Sequence, residues 1–195
     1  MMKNLIFNIL IILISSNFIF AQADTLTDTR DGKIYLTVKI NEQIWMAENL
    51  NFVTEKSYCY SGKDQNCNKY GRLYEWDVAL NVCPDAWHLP SDEEWSSLEK
   101  FLGMTDEEIQ KVDLWRGTDQ ADKLMKDTDI GFNVLLGGYR NPPSNYFLKD
   151  MQAFFWTSTE KNAHAWFRQF MTGFSQIYRN SKPKSWAMSV RCIKD

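Results

Sequence analysis

Thiols and imidazoles are few in this 195-residue chain: Cys59, Cys67, Cys83 and Cys192, and two histidines, His88 and His164. A nucleophile needs a base beside it, and a general base needs a pKa near the working pH. His88 lies between Trp87 and Leu89 in a turn-like WHLP stretch, which suits packing or a turn hydrogen bond. His164 follows Asn162-Ala163 and reads as a surface residue at a strand end. Asp92, Glu93 and Glu94 are consecutive acids, but they fall in the first turn of an expected helix. There the helix dipole favours negative charge for structural reasons alone. The sequence contains no glycine-rich phosphate loop and no nucleophile elbow.

Metal binding has one pattern to weigh. Asp64, Asn66, Asn68 and Glu75 fall at positions 1, 3, 5 and 12 of a calcium-loop spacing, but position 6 is Lys69, where such loops need glycine for a sharp turn. An Asx-rich loop inside a disulfide is the expectation. No CxxC pair supplies a zinc spacing. Neither a metal nor a cofactor is expected.

An even number of cysteines in an exported chain favours two bridges, with three connectivities open. Cys59–Cys67 would close a polar loop of about nine residues and Cys83–Cys192 one of about 110, contributing roughly 2.5 and 4.7 kcal/mol in the chain-entropy model. Cys83 ends an expected helix and Cys192 lies on the last β-like run, so the two meet if the final strand returns beside that helix.

Aromatic content is the strongest binding signal. The eight tryptophans are Trp45, Trp76, Trp87, Trp95, Trp115, Trp156, Trp166 and Trp186, and most are expected in the core. An exposed ring beside Arg and Asn makes a sugar-stacking platform, because C–H groups pack on the ring face while amides and guanidinium bond hydroxyls. The segment GGYRNPPSNYF supplies Tyr139, Arg140, Asn141, Asn145 and Tyr146 in a loop stiffened by Pro142 and Pro143. Arg168, on a later strand, extends this candidate ligand-binding set. The competing reading is a loop that only connects strands.

These side chains have to be positioned by recognisable elements. KIYLTVKI alternates, with Ile34, Leu36, Val38 and Ile40 on one face, and reads as a half-buried strand turning at Asn41-Glu42 into QIWMAENL. Leu73, Trp76, Ala79 and Leu80 fall at helical spacing between Arg72 and Val82. Ser91 with Glu94, and Thr105 with Glu108, are capping-box signatures for two further helices. A short helix follows around 120–126. FNVLLGGYR, AFFWTST, AWFRQFM, FSQIYRN and WAMSVRCI are short aromatic-rich runs expected as strands. Helices in the middle and strands at both ends predict an α+β domain whose N- and C-terminal strands lie together.

Residues 1–23 read as a signal peptide: Lys3, an apolar run from Leu5 to Phe20, then Ala21-Gln22-Ala23, with cleavage expected before Asp24. The run is short for a bilayer span of about 20 residues, and Asn8 and Asn17 interrupt it. No membrane span is expected after cleavage. A short extension, 24–31, leads into a domain over 32–195. The net charge of −3 leaves no basic footprint, which excludes nucleic acid as an expected partner. Only 9 glycines and 5 prolines argue for a globular chain.

QIWMAENLN, the Cys59–Cys67 spacing, KYGRLYEW, CPDAWHLPSDEEW, GGYRN, FWTSTE and SVRCIKD together resemble the Fibrobacter succinogenes major paralogous domain. That family is similar to the C-type lectin-like fold shared with formylglycine-generating enzymes. The resemblance implies short helices on small antiparallel sheets, and it implies a bridge between Cys83 and Cys192. It also implies export, to the periplasm, the cell surface or the medium.

Two departures bear on activity. Where calcium-dependent lectins carry ligating triplets, this chain reads Asn141-Pro142-Pro143-Ser144-Asn145 and Trp166-Phe167-Arg168, and Arg168 would oppose a cation. A formylglycine-generating oxidase needs a reactive cysteine pair, and only Cys59 and Cys67 would remain for one. The expectation is therefore a non-catalytic binding module for a surface glycan or protein. An oxidase of the formylglycine-generating type and a purely structural envelope role are the alternatives.

Overall fold

The computed structural model describes residues 24–125 and 128–195. The expected signal segment lies outside the described residues. The chain enters through β1 (Asp24–Asp28), β2 (Lys33–Ile40), β3 (Gln43–Met46) and β4 (Ser57–Tyr58), then α1 (Asp64–Tyr70), β5 (Leu73–Glu75) and α2 (Trp76–Ala79). β6 (Trp87–His88), α3 (Asp92–Phe101), α4 (Asp106–Gln110), β7 (Leu114–Arg116) and α5 (Gln120–Leu124) form the middle. The last part is nearly all strand: β8 (Tyr139–Asn141), β9 (Asn145–Phe147), β10 (Gln152–Lys161), β11 (His164–Met171), β12 (Ile177–Pro183), β13 (Ala187–Ser189) and β14 (Ile193–Lys194).

The strands make two sheets. One runs β1-β2-β3-β14-β6, and the other follows the path β4-β5-β13-β10-β11-β12-β7, with β8 on β13 and β9 on β8. The architecture is α+β, as expected. The terminal strands do meet: β14 pairs antiparallel with β3, Ile193 opposite Trp45. The bridges are Cys59–Cys67 and Cys83–Cys192, closing over sequence separations of 8 and 109.

Strand β10 divides the interior, because a period of two sends successive side chains to opposite faces. Ala153 and Phe155 enter one core with Trp45, Trp95, Leu98 and Phe170. Phe154 and Trp156 enter the other with Met46, Trp76, Phe167 and Met188. β2 spans both cores: Val38 and Ile40 join the first, Tyr35 the second. Ile34 and Leu36 share the Val38 face but run past the edge of that core, and are 62% and 46% exposed.

Helix α3 forms where its local chemistry says it should. The Ser91 side chain accepts from the Glu94 N–H, and Glu94 accepts from the Ser91 N–H, satisfying two otherwise orphaned donors. Thr105 and Glu108 repeat the box at α4. Trp95, Leu98 and Glu99 point inward from α3.

Elsewhere pairing overrides periodicity. Residues 72–82 are not one helix: Leu73–Glu75 is a strand held between β4 and β13, and only Trp76–Ala79 is helical. The Asx-rich loop is instead helix α1, so Asp64, Asn66 and Asn68 lie along it while Glu75 ends β5. The expected strand over FNVLLGGYR is reduced to β8, preceded by single bridges at Val134 and Gly138. The reason is Arg191. Its buried guanidinium donates to the carbonyls of Phe132, Asn133 (2.6 Å) and Met46 (3.3 Å) and to Asn49 Oδ1 (2.9 Å), so those carbonyls serve a side chain rather than a ladder. Burial pushes its pKa down to about 9, against a smaller opposing pull from Glu48.

Candidate functional site

The stretch singled out by sequence is a hairpin, β8 and β9, in register Tyr139 to Phe147, Arg140 to Tyr146 and Asn141 to Asn145. Pro142, Pro143 and Ser144 make the turn. Gly138 enters it at φ +69, where a Cβ would stand 2.2 Å from the Phe147 carbonyl oxygen, so only glycine fits.

Tyr139 is the middle of a stack. Trp186 covers one face of its ring at 4.8 Å with an interplanar angle of 2°, and Phe147 the other at 5.3 Å and 23°. Phe154 meets it edge-on at 4.8 Å. Tyr139 therefore has no free face for a ligand and acts as the support of its neighbours. The accessible members are Phe147, 39% exposed, and half-buried Trp186, with the Lys182 ammonium 5.0 Å from the Trp186 centroid. Tyr146 pairs with Tyr60 at 5.1 Å across the hairpin's other flank. Asn145 is exposed.

Arg140 is also inward. Its guanidinium lies 3.8 Å over the Tyr58 ring, donates to Pro143 O at 2.7 Å, and stands 3.8 Å from Glu75 Oε1. Arg140 Nε and Asn141 Oδ1 are buried without a hydrogen-bond partner among the described residues. Buried polar atoms in native folds are ordinarily paired, so this turn is held at some cost in free energy.

Arg168 does not belong to the site. It is fully buried and points from β11 toward α3, onto the opposite face of the sheet from Phe167, Phe154 and Tyr139. There it bonds Glu99 Oε1 at 2.5 Å and Asp92 Oδ1 at 2.5 Å. Arg116 joins Glu99 at 2.9 Å and Arg179 joins Asp92 through two bonds, giving a chain Arg116–Glu99–Arg168–Asp92–Arg179. Desolvation opposes the charge on Arg168, yet Glu99 and Asp92 leave its pKa raised. Burial would likewise lift Asp92, but Arg179 and Arg168 hold its pKa below the ordinary carboxylate value. A hollow of about 390 Å³ opens beside this chain, lined by Ser91, Ser96, Thr159 and Arg179 among others. Two carboxylates line it, Asp92 and Glu93, and Asp92 is committed to two guanidinium groups.

His88 is similarly occupied. Nδ1 lies 2.6 Å from Asp195 Oδ1 and Nε2 2.8 Å from Glu94 Oε1, tying the last strand to α3. Desolvation lowers its pKa, but the bonds to Asp195 and Glu94 outweigh it and the net shift is upward from 6.5. A pKa raised in the folded state contributes stability that is complete below the unfolded value and lost as pH rises through the folded one. The melting-temperature difference between the native chain and His88→Gln should thus be largest near pH 6 and shrink toward pH 8.5. A difference that grows with pH would show that the imidazole is held neutral. His164 is exposed at the start of β11.

Two contributors, Phe147 and Trp186, escaped the sequence reading. Phe147 was recoverable, because a turn at Pro142-Pro143-Ser144 sets it opposite Tyr139. Trp186 had no local signal. A family model described as the Fibrobacter succinogenes major domain matches residues 38–194. The chain belongs to that family. The match brings a domain of uncharacterised function, and so places the chain without giving it an activity. No curated protein and no solved structure matches the chain.

Proposed function

We propose that the chain is an exported, non-catalytic binding module of C-type lectin-like fold that holds a surface glycan or protein on the β8–β9 hairpin. The observation that carries this reading is the rigid stack Phe147–Tyr139–Trp186, half open to solvent beside Lys182 and Asn145. Rings already fixed by packing lose little entropy when a ligand docks. The lectin-like fold is supported by β14 lying beside β3 and by the bridge from Cys83 to Cys192. Export is supported by two disulfides, which persist in oxidising compartments. The non-catalytic reading draws on all four cysteines being bridged and on the commitments of His88 and Asp92.

The test uses residues 24–195 on an array of bacterial surface glycans beside the variant Tyr146→Ala/Phe147→Ala/Trp186→Ala. Circular dichroism should be preserved and array binding lost at least tenfold. Retention of both fold and binding would place the site elsewhere.

A further inference from the structure

The opposite edge of the nine-stranded sheet carries a second aromatic and polar constellation. β7 is the edge strand, paired with β12 so that Trp115 faces Tyr178. The Trp115 ring leans on Phe174 at 4.9 Å and 39° and on Tyr178 at 5.4 Å and 54°. Neither is stacked flat on it, unlike the rings that cover Tyr139, and the indole stays half-buried. Phe174 itself is 41% exposed.

Beside the ring is a fixed set of hydrogen-bonding groups. Asp113 Oδ1 accepts from the Tyr178 hydroxyl and from Asn180 Nδ2 at 2.7 Å, while Asn180 Nδ2 also reaches the Tyr178 oxygen at 3.1 Å. The Asp113 N–H donates to Arg179 O at 2.9 Å, which anchors the residue to β12. Oδ2 of this exposed carboxylate has no hydrogen-bond partner, and Asp113 joins no ion pair, among the described residues. The patch is not an extension of the hairpin. Four strand spacings separate β7 from β13, the strand that carries β8, which is about 19 Å.

We infer that this edge is a subsite for a neutral saccharide, with a pyranose stacked on Trp115 and its adjacent hydroxyls shared between Asp113 and Asn180. A pyranose offers a C–H-rich face to an aromatic ring and hydroxyls that both donate and accept. Asp113 supplies an acceptor already aligned by two donors, so no side chain has to be ordered on binding. A carboxylate without a cationic partner repels anionic ligands and selects uncharged ones. The site needs no metal, because the hydroxyls meet side chains directly.

The experiment titrates the purified chain with cellohexaose, xylohexaose, mannohexaose and chitohexaose, and follows the indole N–H signals by NMR. At least one probe should shift the Trp115 indole saturably. Its affinity should fall at least tenfold in Trp115→Ala and severalfold in Asp113→Asn, and stay within twofold in Tyr146→Ala/Phe147→Ala/Trp186→Ala. Asp113→Asn keeps a residue that tolerates the positive φ of 61 at this position, so the test survives if Trp115→Ala fails to fold. A flat response to all four probes overturns the subsite and leaves the patch to a protein partner. Affinity unchanged in Asp113→Asn, or lost in the hairpin variant alone, overturns it as well. Tighter binding of an oligogalacturonate than of any neutral probe contradicts the charge argument.

Discussion

Glu99→Ala should destabilise the fold by about 3–5 kcal/mol, the cost of breaking a buried ion pair from one side. Glu99 Oε1 accepts from both Arg168 Nε and Arg116 Nη2, and all three side chains are withdrawn from water. Removing the carboxylate leaves Arg168 with Asp92 alone and strips Arg116 of its ion-pair partner, both deep in the interior. Arg116 suffers most, because desolvation already lowers its pKa and Glu99 is its counter-charge. Urea denaturation monitored by tryptophan fluorescence measures the loss. Arg116→Met/Glu99→Met/Arg168→Met should lose much less than Glu99→Ala, since replacing a whole buried charge set with apolar volume is often neutral. A loss below about 1 kcal/mol for Glu99→Ala would mean that water reaches the chain of charges.

The long disulfide carries the second large effect. Cys192→Ser should lower stability by roughly 4.7 kcal/mol, against roughly 2.5 for Cys67→Ser, because the unfolded chain regains a far larger loop. Cys192 is also fully buried, beside Met46 and Val190 in the second core, so the serine hydroxyl would lose water as well as the bridge. Thermal unfolding of both variants under non-reducing conditions compares them. A Cys67→Ser variant that melts at or below Cys192→Ser would contradict the ranking.

What could be read in the sequence was mostly local chemistry. Ser91 with Glu94, and Thr105 with Glu108, fix helix starts through bonds made within four residues, and both boxes are present. β10, β11 and β12 were legible as short aromatic-rich runs set off by Gly, Asn and Ser. The bridge of Cys83 to Cys192 entered as an implication of the family resemblance, since spacing alone left three connectivities.

What could not be read depended on partners distant in sequence. The Leu73–Trp76–Ala79 spacing mimics a helix, and only the ladder to β13 shows that Leu73–Glu75 is extended. Asp24–Asp28 had no strand pattern of its own and becomes β1 by pairing with β2. The stretch expected as a proline-stiffened loop is a hairpin, and the sequence did not show which of its residues face outward. Tyr139 turns out to be covered by Trp186, and Arg168 takes the opposite face because its neighbours in space are Glu99 and Asp92.

The central claim is that a preformed aromatic stack on the hairpin meets the ligand through its outer members. Hydroxyl-radical footprinting of residues 24–195, with and without the glycan that binds best on the array, tests it residue by residue. Protection should appear at Trp186, Phe147 and Tyr146, while Tyr139, shielded on both ring faces, should react equally in the two states. Protection confined to other surfaces, with Trp186 and Phe147 as reactive in the complex as in the free chain, would contradict the account.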